Sequence, residues 1–255
     1  MNFEGLDIAI LGPAFIAGLL ILATHVPLGQ EVLKRGIIFI DLAIAQIAGL
    51  GVIAAYRFGG DIYDWQVQLA ALGSASLAAV LLNTLEKYYQ ECQEALIGAI
   101  FVLAASASIL ILADNPHGGE SLKDLLVGQI LWITWEQILP TALVTGFILL
   151  IQFRFRQRLQ HLGFYLLFAL AITSSVQLIG VYLVFASLII PALGSIGSKN
   201  TLLSAYLIGA AGYGLGLILS ALLDLPSGAM IVWSIAIMAL LAKLTTGPKP
   251  RVTRE

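Results

Sequence analysis

The sequence predicts an all-α, polytopic integral membrane protein with eight or nine transmembrane helices, folded as a single transmembrane domain over residues 1–255. Two observations carry this. Hydrophobic residues make up 59% of the chain and charged residues only 11%, where a soluble domain uses roughly 25% charged residues to face water. The apolar residues are also gathered into runs near the ~20-residue length that a helix needs to cross hydrocarbon, and the charges fall mostly between them.

The first run is Ile8 to Ala23. The segment before it carries Glu4 and Asp7 and lacks the positive region of a cleaved signal peptide, so this run is expected to remain as a membrane helix. Gly36 to Tyr56, Trp65 to Leu85 and Ala95 to Ala113 give the second to fourth crossings. Leu122 to Leu131 is apolar but too short to cross alone, and it reads as a re-entrant or interfacial helix. Trp132 and Trp135 follow it as interfacial aromatic anchors would. Ile138 to Phe153 is the fifth crossing, and Leu202 to Leu223 and Ala229 to Leu244 are the last two.

Leu162 to Ser198 is too long for one ordinary span and barely long enough for two; Gly180 and Pro191 are its possible breaks. Cytoplasmic loops collect Lys and Arg. Arg154, Arg156 and Arg158 therefore belong inside, with Lys34, Arg35 and the tail of Lys249, Arg251 and Arg254. The loops with Asp61 and Asp64, and with Asp114 and Glu120, fall outside. All of these agree only if Leu162 to Ser198 crosses twice, which gives nine segments and an outside N-terminus. The Gly212-x-x-x-Gly216 spacing puts two bare backbone patches on one helix face, for packing within the subunit or against a second copy.

Several classes are disfavoured. Lys+Arg 13 against Asp+Glu 15 gives a net charge of −2, with no basic excess to suggest nucleic acid. Cys92 is the single cysteine, and His25, His117 and His161 lie far apart. The sequence holds no P-loop, no G-x-S-x-G and no H-E-x-x-H, so it singles out no catalytic residue and no bound cofactor.

An ionisable side chain within hydrocarbon costs at least about 2.5–3.5 kcal/mol and marks either a partner or a cavity. Asp41, early in the second span, is the best such candidate. It either pairs with Lys34 or Arg35 near the interface or lines a substrate path. Gln46 is five residues on, about 140° around a helix at 100° per residue, so the two do not share a face. Gln177 with Thr173, Ser174 and Ser175 forms a second polar patch. His117 and Glu120, in a Gly-containing outer loop, are either weak metal ligands at a mouth or solvated side chains.

Four segments, taken in order, resemble the permeases of zinc/manganese ABC transporters. Glu94-Ala-Leu-Ile-Gly-Ala-Ile-Phe101 is similar to their acidic-x-x-IGI-x-F segment, and Leu126-Val-Gly-Gln-Ile-Leu131 to their LFGNIL turn. Gly180-Val-Tyr-Leu-Val-Phe-Ala-Ser-Leu-Ile-Ile-Pro-Ala192 resembles their GVLLVSALLIIPA run, and Asp224-Leu-Pro-Ser-Gly228 their DLPTG turn. The resemblance implies the metal ABC importer permease fold: a homodimer in the inner (plasma) membrane, working with two cytoplasmic ATP-binding subunits and an extracytoplasmic metal-binding protein. It implies alternating access, with a divalent metal ion as cargo. It also implies that Pro191, Ala192, Gly194, Ser195 and Lys199 lie in the cytoplasmic segment that docks the ATPase.

The chain departs from that family in two places. The family's second span carries an Asp and a His four residues apart; here Leu42 and Gln46 fall on those positions, with Asp41 one residue early. An amide oxygen is a poorer ligand than imidazole for zinc-type ions. The loop from Arg154 to His161 is also shorter than the family's. A competing function of another class is a carrier or channel that needs no ATPase, with Asp41 as its coupling carboxylate.

Overall fold

The computed structural model describes residues 7–57, 65–115, 118–154 and 161–246, with the backbone alone at residues 118, 120, 121, 124 and 246. It contains α1 (Ile8–Arg35), α2 (Ile40–Arg57), α3 (Trp65–Tyr88), α4 (Gln93–Leu112) and α5 (Gly118–Val127). A short 3-10 turn at Ile130–Trp132 leads to α6 (Trp135–Arg154), α7 (Leu162–Ile179), α8 (Val181–Gly194), α9 (Thr201–Leu223) and α10 (Ser227–Thr246). Among the described residues, eight helices are long and apolar enough to cross a membrane.

α1 is longer than its apolar run. The Asp7 carboxylate caps it by accepting from the Ala9 N–H at 2.8 Å, and Gly36, in the left-handed region, ends it. Its 28 residues reach about 42 Å, more than the hydrocarbon needs. Pro27 lies inside it and cannot donate to the carbonyl of Ala23, four residues back. The Tyr206 hydroxyl of α9 donates to that carbonyl at 3.0 Å. A neighbouring helix thus supplies the bond that proline withholds, which is why the helix continues to Arg35.

Close contacts set the helix directions. Tyr206 meets Ala23, Gly209 meets Leu22 and Tyr213 meets Gly18, so α9 runs antiparallel to α1. A Cβ on Gly212 or Gly216 would meet Ile235 at 2.5 Å or Ile231 at 2.5 Å, so α10 returns antiparallel to α9. The Gly212–Gly216 pair therefore serves packing inside the subunit. Gly128 lies against Gly180, and Val127, beside it, lies against Gly228 at the start of α10; Gly194 lies against Ala239 near that helix's end, so α8 runs parallel to α10. One end of the bundle carries Lys34, Arg35, Lys87, Arg154, Lys199 and Lys243.

The ambiguous stretch becomes α7 and α8, meeting at Gly180 (φ 77°). α7 rises from the basic end and α8 returns to it. Fourteen residues give α8 only about 21 Å, short of a full crossing, so the apex lies within the bundle. Pro191 does not break the chain; it sits inside α8. The apex is covered by the segment expected to be re-entrant. Gly128 (φ 69°) packs backbone to backbone on Gly180: a Cβ on Gly128 would stand 2.1 Å from the Ile179 carbonyl, and one on Gly180 2.3 Å from the Gly128 nitrogen. Both positions need glycine twice over, for positive φ and for the close approach.

α2 and α7 occupy the interior, and α4 and α6 bury the least. α3 packs on α2 and α7 and buries a small-residue stripe, Ala71, Ala75, Ala78 and Ala79, while Leu77, Val80 and Leu81 are exposed. Lipid is as apolar as leucine, so backbone closeness and packing hold such helices together.

Candidate functional site

Asp41 sits in the first turn of α2 and is 1% exposed. Neither carboxylate oxygen has a hydrogen-bond partner. The expected pairing with Arg35 or Lys34 does not form. Arg35 turns to Glu31 at 3.1 Å and Glu86 at 3.6 Å, and its guanidinium stacks 4.1 Å over the Phe164 ring. Lys34 is exposed. These partners suit Arg35 because one lies a helical turn away on α1 and the other projects from the adjacent end of α3.

The side chain that reaches α2 is Glu94 of α4. One of its oxygens accepts the Phe39 N–H at 3.1 Å, which caps the start of α2, and the other is buried without a partner. Glu94 also acts on Asp41 electrostatically, while the first-turn N–H groups of Asp41 and Leu42 lie beside the Asp41 carboxylate. Next to Glu94, Gln93 donates to the Tyr165 hydroxyl of α7 at 2.9 Å. Two carboxylates therefore share the start of α2 with no basic side chain bonded to either.

Gln46 is 2% exposed and its side-chain oxygen has no partner. It stands about 7.5 Å further along α2. Gln177 is exposed, and it lies twelve residues, about 18 Å of helix, beyond Tyr165 at the Asp41 end of α7. Asp41, Gln46 and Gln177 are thus strung along the bundle and do not converge on one point. His117 lies outside the described residues. Among the described residues there is no group of three His, Cys, Asp or Glu side chains placed to hold a metal ion.

Two residues were missed as site candidates. Glu94 was read only as part of a motif; its reach to Phe39 crosses 55 positions and leaves no local signal. His25 of α1 is fully buried, with Nδ1 3.0 Å from the Ile21 carbonyl and Nε2 without a partner. The first apolar run, Ile8 to Ala23, stops two residues before it.

In the segment expected to dock an ATPase, Pro191, Ala192, Gly194 and Ser195 are buried inside the subunit. Gly194 packs on Ala239 and Ile208, and the Ser195 hydroxyl donates to the Ala192 carbonyl at 2.9 Å. The exposed side chains there are Leu193, Ile196 and Lys199. A cavity of about 500 Å³ opens at the same basic end, lined by Gln30, Glu31, Lys34, Gln152 and His161 among others.

Known proteins bear on this arrangement. The sequence model of the ABC 3 transport family matches residues 7–164 and 155–246. A "Probable metal transport system membrane protein" of Chlamydia trachomatis serovar D is 24% identical over 145 residues, covering 55% of this chain and 46% of that protein. A protein of the same description from Chlamydia pneumoniae is 23% identical over 158 residues, covering 60% of this chain and 54% of its own. The chain thus spans about half the length of the curated relatives it matches. A solved structure, PsaBC from Streptococcus pneumoniae in complex with Fab, superposes with a TM-score of 0.77 at 21% identity over 95% of each chain. At that identity the likeness establishes the fold.

Proposed function

The chain belongs to the ABC-3 transport family, and from that premise we propose that it is the membrane-spanning permease subunit of an ATP-binding-cassette importer of divalent metal ions. Zinc, manganese and iron are the candidate cargoes. ATP hydrolysis resides on separate cytoplasmic subunits, and an extracytoplasmic metal-binding protein delivers the ion. Two copies of the permease rock around a shared path in the inner membrane, open alternately to each side.

The observation that carries this reading is Asp41: a buried carboxylate in a membrane helix, bonded to no basic side chain. A purely structural carboxylate would be expected to find Arg35, and this one does not. Gln177 supports the homodimer, since an exposed amide on the otherwise well-buried α7 is better placed against a second copy or a wet path than against lipid.

The test is reconstitution in proteoliposomes with a metal-importer ATPase and binding protein from the same organism. ATP-dependent uptake of a divalent metal is the expected outcome. Uptake by the chain alone, driven by an ion gradient, would instead identify an ATPase-independent carrier and sink the proposal.

A further inference from the structure

At the basic end, the ends of α1 and α6 and the starts of α7 and α9 leave a cavity of about 500 Å³ between them. Its depth follows from α1: Pro27 and Lys34 both line it, about 10 Å of helix apart. The lining changes along that depth. Pro27, Leu28 and Leu167 form an apolar floor, and Lys34 and His161 stand at the mouth. One wall faces lipid. It carries Phe153, 65% exposed, on α6, the spanning helix that buries least, and Leu202 of α9, 41% exposed.

The polar groups of the cavity are not all answered within the chain. Glu31 and Arg35 line it but neutralise each other at 3.1 Å, and Arg35 also meets Glu86. Lys34 is exposed and has no ion pair among the described residues. The amide nitrogen of Gln30 and the amide oxygen of Gln152 are buried without partners. The cavity thus offers one uncommitted positive charge, one amide donor and one amide acceptor above an apolar floor. A ligand that answers all of these is anionic, bears a hydroxyl and continues into hydrocarbon.

We propose that this cavity is a binding site for an anionic phospholipid with a hydroxyl-bearing headgroup, phosphatidylglycerol. The phosphate accepts from the Lys34 ammonium and the Gln30 amide, a glycerol hydroxyl donates to the Gln152 oxygen, and an acyl chain leaves along Phe153 and Leu202. Basic pockets between membrane helices on the cytoplasmic side are suited to such headgroups. A soluble partner could meet the mouth, but an apolar floor about 10 Å down beside a lipid-facing helix matches a lipid. The inference does not depend on which cargo the chain carries.

Native mass spectrometry of the purified, delipidated chain in detergent counts bound lipid as dioleoylphosphatidylglycerol is added. One tightly held lipid per chain is expected. Dioleoylphosphatidylmethanol, which has the same charge and tails but no headgroup hydroxyl, should bind more weakly, and dioleoylphosphatidylcholine more weakly still. Glycerol 3-phosphate, a head without tails, should not displace the lipid. Lys34→Ala should weaken phosphatidylglycerol binding about fivefold. Gln152→Leu should bring phosphatidylglycerol down to the affinity of phosphatidylmethanol and leave the latter unchanged. Lys87→Ala, at the same end but outside the cavity, should change nothing. Melting temperatures equal to the parent's in the absence of lipid confirm that the variants fold. Equal affinity for phosphatidylglycerol and phosphatidylcholine, equal weakening by Lys34→Ala and Lys87→Ala, or displacement by glycerol 3-phosphate overturns the site. Release of the lipid on adding the ATPase also overturns it, by assigning the cavity to that partner.

Discussion

At Asp41 the geometry separates two roles that one residue type can play. Had its carboxylate met Arg35, replacing it would chiefly cost stability, because a buried cation would be left alone. Both of its oxygens are instead unpartnered, so Asp41→Asn removes a charge that no side chain here requires. Metal uptake is expected to fall at least about tenfold, while membrane insertion and melting temperature stay as in the parent. Unchanged uptake would return Asp41 to a structural role. Tyr206 makes the opposite case. Its hydroxyl serves the Ala23 carbonyl that Pro27 leaves free, so Tyr206→Phe should cost about 1 kcal/mol of stability. In a Pro27→Ala background the restored N–H takes that carbonyl, and the same substitution should cost much less. Thermal melting of the four proteins measures this coupling. Equal costs in the two backgrounds would mean that the hydroxyl acts elsewhere.

Among the elements, the α7–α8 hairpin depends on two glycines 52 positions apart. Gly180→Ala and Gly128→Ala each impose positive φ on an alanine, about 1–2 kcal/mol, and press a methyl into opposing backbone. Gly146, mid-helix in α6 with open space around it, is the control, where alanine should be neutral or slightly stabilising. Melting temperatures that fall for the first two and hold for the third would confirm the clamp. A sequence reader could see the Gly180 break, because a glycine interrupting a long apolar run is a local signal. Its partner at Gly128 could not be seen, since the contact joins distant segments. The spans themselves were legible from their apolar runs, but α1 was cut short at Ala23. Thr24, His25 and Pro27 look like an ending unless Tyr206 is known to stand beside them. Asp41 was legible as an intramembrane carboxylate. Its neighbour was misjudged because Arg35 is close in sequence, whereas Glu94 comes from another helix and Arg35 has nearer acids.

The whole molecule constrains how a partner can reach it. The run from Pro191 to Lys199 reads as one docking stretch, but the bundle has already used one face of it: Ala192 and Gly194 pack inward, and Lys243 of α10 donates to the Ile196 carbonyl. What remains for an ATPase is the outward row of Leu193, Ile196 and Lys199 at the basic end. Changes on the two faces should therefore fail differently. Ala192→Asp puts a charge into a packed interface and should lower the melting temperature and the yield of folded protein. Ile196→Asp or Lys199→Glu should leave folding intact while stimulation of ATP hydrolysis in the reconstituted complex falls several-fold, as removal of an interface contact does. If both outward variants stimulate hydrolysis as the parent does, the ATPase contact lies elsewhere on the basic end, and the cavity between α1 and α6 becomes the next surface to probe.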